Sequence, residues 1–113
     1  MTLADHARPA QEARAVERTL CPTFADVVQL MRNYPHHHLL RPGNMGDRDH
    51  AQGLVDKQLA NAGRALPGTA VATSRAGHLL AFHGHIAAVT ALALEFTTGA
   101  RLPLHRLVAI GIG

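Results

Sequence analysis

Cysteine is almost missing from this chain: Cys21 is the only one in 113 residues. A single thiol cannot close an intramolecular disulfide, and it fits a reducing compartment. Tryptophan is absent and aromatics reach only 4% of the chain, so Ala, Leu and Val must fill the core. Lys57 is the only lysine; the other ten basic residues are arginine. No apolar run approaches the ~20 residues that span a bilayer. The N-terminal MTLADHARPAQEARAVE also lacks the apolar stretch of a signal peptide. The expected setting is therefore cytoplasmic, away from membranes. G-x-S-x-G, H-E-x-x-H and C-x-x-C are all missing. Pro42-Gly43-Asn44-Met45-Gly46 is no P-loop, since it lacks the Lys-Ser/Thr pair. Nothing here calls for an enzyme.

What charge there is sits unevenly. Residues 1–56 hold six arginines against seven acids, while residues 57–113 hold five bases against Glu95 alone. A mildly basic half suits an acidic partner. It lacks the clustered bases and interleaved aromatics of a nucleic-acid surface, so no nucleic acid is expected.

The patterning predicts an α+β fold: a small, mostly antiparallel sheet packed with helices and preceded by a helical N-terminal segment. Two parts are expected. Residues 1–45 form a helical extension and loop, and residues 46–113 form a helix-strand-strand-helix-strand domain. Residues 4–20 are rich in Ala, Glu and Arg, the composition of a solvated helix. Cys21-Pro22 breaks it. Thr23 then caps a second helix, with Asp26 placed for a capping box and Phe24, Val27, Val28, Leu30 and Met31 as its apolar stripe. Residues 35–49, with two prolines and two glycines, predict a loop, after which Asp47 or Asp49 caps the next helix. Ala51, Leu54, Val55, Leu59, Ala62 and Leu66 form that helix's apolar face, stopped by Pro67-Gly68. Thr69–Arg75 and His78–His83 read as two strands joined by a turn at Arg75-Ala76-Gly77. Ile86, Val89, Ala93 and Phe96 fall at helical spacing, with Leu92 beside them, predicting a helix over 86–98. Leu107–Ile112 reads as a buried strand.

Nine histidines are the unusual feature. In a strand, His83 and His85 project to one face, a spacing at which two imidazoles can share a divalent metal or flank a haem. A third ligand would come from His50, His105 or the run His36–His38. The alternative is a set of surface or strand-end histidines. Asp47-x-Asp49 followed by His50 could bind a cation or exchange protons, although acids there also suit a helix N-terminus. A small enzyme with His50 or His83 as general base, its site completed across an oligomer interface, is a weaker alternative.

The wording LVDKQLANAGRALPGTAVATSRAGHLLAFHGH resembles the opening of a roadblock (dynein light-chain-like) domain, carried by Leu66-Pro67-Gly68, Ser74-Arg75-Ala76-Gly77-His78 and Leu79-Leu80-Ala81. In that likeness, helix 86–98 and strand 105–112 match the family's second helix and third strand. The first 45 residues have no counterpart, and the family's closing elements are lacking. The resemblance implies a non-catalytic homodimer that binds or regulates a small GTPase or a larger assembly. An almost wholly apolar helix 86–98 would then be the interface, through Val89, Leu92 and Phe96. AGHLLAF also resembles small oligomeric haem-binding α/β proteins, which sustains the metal or haem alternative.

Overall fold

A computed structural model describes residues 16–113. The described chain is α+β. Its elements run β1 (Glu17–Cys21), α1 (Phe24–Met31), β2 (His36–Leu39), α2 (Met45–Ala62), β3 (Leu66–Thr73), β4 (Leu79–Val89), β5 (Ala93–Phe96), β6 (Arg101–Pro103) and, after a 3₁₀ turn over Leu104–Arg106, β7 (Leu107–Ile112). All seven strands join one antiparallel sheet in the order β2-β7-β3-β4-β5-β6. β1 lies beside β4, paired with residues 79–83, while β5 pairs with the far end of the same strand.

Side chains alternate across this sheet, and each face builds a core. On one face, Ala70, Ala72, Ile86, Ile110 and Ile112 pack with Ala51 and Val55 of α2 and with Leu94, Phe96 and Leu104. On the other, Val71, Ala81 and Ala109 pack with Cys21 and with Val27 and Met31 of α1. The shortage of aromatics is met by close approach of backbone. A Cβ on Gly68 would collide with the Ile86 side chain and stand 2.7 Å from the Gly111 carbonyl oxygen. The Ile86 tip could move, but the Gly111 carbonyl is fixed by the β3–β7 pairing and cannot yield, so glycine is required.

Helix α1 forms as its sequence dictates. The Thr23 hydroxyl accepts from the Asp26 N–H at 3.3 Å, and the Asp26 carboxylate accepts from the Thr23 N–H at 2.9 Å, a complete capping box. The hairpin turn also falls where expected, with Gly77 at φ 84° and the Gly77 N–H donating to the Ser74 carbonyl at 3.0 Å.

Four local expectations are corrected. Residues 17–20 of the proposed first helix belong to strand β1, because Cys21 is drawn into the core beside Ala81 and the segment pairs along β4; residues 4–15 of that helix lie outside the described residues. The loop expected at 35–49 contains strand β2, whose backbone pairs with β7. Asn44, rather than Asp47 or Asp49, caps α2, accepting from the Asp47 N–H at 2.9 Å. The helix stops at Gly63 in the left-handed conformation, so Leu66, Pro67 and Gly68 already belong to β3.

The largest correction concerns 86–98, which is no helix. β4 runs on to Val89, the chain turns at Thr90, and β5 returns. The Thr90 hydroxyl accepts from the Leu92 and Ala93 N–H groups at 3.2 and 3.1 Å and fixes the reversal. A register shift between Ile86 and Ala88 interrupts the period of two, and that bulge is what made the apolar positions fall at helical spacing.

Candidate functional site

The hairpin register sets the first cluster. Symmetric pairing about the Gly77 turn places Thr69 of β3 directly opposite His83 of β4. Both point to the α1 face, as does Thr19 of β1, the neighbour of Ala81. One His83 nitrogen, Nδ1, lies 2.9 Å from the Thr69 hydroxyl, and the other, Nε2, lies 2.9 Å from the Thr19 hydroxyl. Thr69 is fully buried and also shares a short hydrogen bond with the Tyr34 hydroxyl. The Tyr34 ring reaches this point across the backbone of Gly111, where an added Cβ would stand 2.6 Å from the ring. The result is a hydrogen-bonded chain, Tyr34–Thr69–His83–Thr19, laid across the sheet. Each hydroxyl can give or accept, so the donors can run in either direction along the chain. This chain fixes side chains. It has no nucleophile with a free base beside it.

A second cluster joins β2 to α2 on the opposite face. Asp47, in the first turn of α2, folds back onto Arg41: its carboxylate accepts from the Arg41 N–H at 2.8 Å and from Nε at 2.9 Å. These bonds hold its carboxyl well below the ordinary 3.8, at about 2. The His38 ring stacks on His50 with centroids 4.3 Å apart. His38 Nε2 is 3.7 Å from Asp47, too far for a hydrogen bond, and is buried without a partner. Burial first, then the neighbouring His50, pushes the His38 pKa down despite the carboxylate.

The proposed metal ligands are not brought together. His83 and His85 do lie two apart on β4, but both His83 nitrogens are engaged by hydroxyls. His50 belongs to the α2 face, against His38. His105 is exposed in the 3₁₀ turn. Among the described residues, no group of three His, Cys, Asp or Glu side chains is placed to hold a metal ion. The proposed interface residues also separate: Val89 and Phe96 are core, 8% and 2% exposed, while Leu92 projects from the β4–β5 turn at 78% exposure. Cys21 is buried; burial and then Asp26 push its thiol pKa up, which makes it a poor nucleophile.

The edge of β1 was not found from the sequence. Among the described residues, β1 has one partner, β4, so its other edge is unpaired. Four of its five residues are exposed, and Leu20 is 54% exposed. A hollow of about 370 Å³ lies between this strand and α1, lined by Thr19, Leu20 and Cys21 on one side and by Asp26, Leu30 and Asn33 on the other. Among the described residues, no helix is long and apolar enough to cross a membrane. No protein-family model, curated protein or solved structure matches the chain.

Proposed function

We propose that this chain is a non-catalytic interaction module that self-associates by adding a second copy's strand to the free edge of β1. The observation that carries the proposal is that edge, with its exposed Leu20 and the hollow beside α1. An unpaired strand presents N–H and C=O groups to any chain that can pair with them. The other sheet edges are poorer templates: β6 is three residues long and ends on Pro103, and β2 is four residues with three histidines. Edge pairing over five residues does not by itself approach the ~1,000 Å² of a specific interface. Side chains of an incoming strand entering the hollow beside α1 would supply the remainder. Binding of a small GTPase or larger assembly, implied by the roadblock resemblance, would use the same strand and is the heterologous form of this proposal. Metal or haem binding through His83 and His85 has less support, because His83 already spends both nitrogens on Thr69 and Thr19.

The test is mass in solution by light scattering, on wild-type protein and on Leu20→Lys. A lysine on an edge strand opposes pairing and, at an exposed position, leaves the fold intact. A dimeric or larger wild type and a monomeric, folded variant are expected. A monomeric wild type, or a variant of unchanged mass, would overturn self-association through β1.

A further inference from the structure

The sheet face opposite α1 carries a second hollow, of about 230 Å³, between the β3–β4 hairpin and the segment from β6 into the 3₁₀ turn. Its floor is apolar, made by Ala72, Leu80, Phe82 and Leu102. Arg75, from the hairpin turn, and Arg106, from the 3₁₀ turn, stand in its wall. The Arg106 segment is tied to the hairpin by the Thr73 hydroxyl, which donates to the Arg106 carbonyl oxygen at 3.4 Å. A third guanidinium, that of Arg18, lies 6.0 Å from the centroid of the Phe82 ring, within reach of a cation–π contact.

Nothing acidic among the described residues lines this hollow. Among the described residues, the side-chain ion pairs join Asp47 to Arg41 and Glu95 to Arg101, and none involves Arg18, Arg75 or Arg106. An apolar floor under uncompensated guanidinium groups is a complementary surface for an anion with an apolar body. Guanidinium pairs with carboxylate through two parallel N–H···O bonds. Size narrows the class further, because ~300 Å³ is the lower end for drug-sized ligands. We infer that this hollow is a binding site for a small organic carboxylate with an aryl or short branched body, the carboxylate held by Arg75 and Arg106 and the body resting on Leu80, Phe82 and Leu102. The hollow abuts β1, whose Leu20 and Arg18 pair with Leu80 and Phe82, but its walls come from the hairpin and the β6 segment and it needs no second copy.

The experiment titrates benzoate into the isotope-labelled full chain and follows the side-chain NMR signals of Leu80, Phe82 and Leu102. Benzamide and inorganic phosphate serve as the uncharged and the purely anionic probes. Saturable shifts at those three residues with benzoate are expected, with binding weakened about tenfold or more in Arg75→Gln. Arg75 is exposed in a turn, so that variant keeps the fold even if Arg106→Gln does not. Absence of saturation up to about 10 mM would overturn the site. So would benzamide binding as well as benzoate, since charge would then play no part, or phosphate binding as well, since the apolar floor would then play none. Unchanged affinity in Arg75→Gln and Arg106→Gln would also overturn it.

Discussion

At the scale of single residues, Thr69 is the pivot of the α1 face. Its hydroxyl bonds both the Tyr34 hydroxyl and His83 Nδ1, from a fully buried position. Thr69→Val keeps the shape and leaves two polar groups short of a partner, which destabilises by about 1–3 kcal/mol. Tyr34→Phe removes one of those orphaned groups. The double variant should therefore lose less than the sum of the two single losses, measured by urea denaturation. Strict additivity would mean that Tyr34 and Thr69 are not coupled. Asp47 gives a second residue-level expectation. Its carboxyl pKa is lowered to about 2 chiefly by the Arg41 side chain and then by the Arg41 backbone N–H. A lowered acid pKa means that its stabilising contribution is complete above the ordinary 3.8 and is lost as pH falls towards 2. In an NMR titration, Asp47 should titrate near 2 in wild type and move up towards 3.8 in Arg41→Ala. His38 acts in the same direction, since its lowered pKa means that protonation opposes the folded junction.

At the scale of elements, what could be read depended on whether the signal was local. The capping box of Thr23 and Asp26 lies within four residues, and α1 follows from it. The hairpin at Gly77 is equally local, and its centre at Ala76 already implies that Thr69 faces His83. Tyr34 and Thr19 could not be found this way, because Tyr34 reaches Thr69, and Thr19 reaches His83, only through contacts made in the tertiary fold. β1 itself was misread because ERTLC has no apolar alternation; a neighbouring strand, not its own pattern, makes it extended. The stretch 86–98 failed for the opposite reason. It has a pattern, but the bulge near Ala87 turns a period of two into an apparent helical one. A mutational contrast separates strand from helix there. Leu92→Asp, on the exposed turn, should change stability by no more than about 0.5 kcal/mol. Phe96→Ala, in the core, should cost about 3–5 kcal/mol. Both are read from chemical denaturation. Large and equal losses would restore a buried helix.

At the scale of the whole molecule, one antiparallel sheet carries α1 on one face and α2 on the other, with Leu94 and Phe96 of β5 joining the core on the α2 side. The clusters that looked chemical in the sequence are bound into this frame: His83 spans three strands with its hydroxyl partners, and Asp47 closes the β2–α2 junction. What stays open is surface. Among the described residues, β1 pairs by one edge with β4 and has no partner on the other, next to the hollow beside α1. The arginine-walled hollow occupies the opposite face.

Amide hydrogen exchange along Glu17–Cys21, at concentrations where the protein has its full solution mass, tests strand addition at β1 most directly. In a lone chain, only the amides that face β4 are protected, so slow and fast exchange alternate along the strand. With a second copy paired on the free edge, the outward amides should be slowed as well, and Leu20→Lys should restore the alternation. Fast exchange of the outward amides in the self-associated wild type would contradict the account, because the copies would then meet through some other surface.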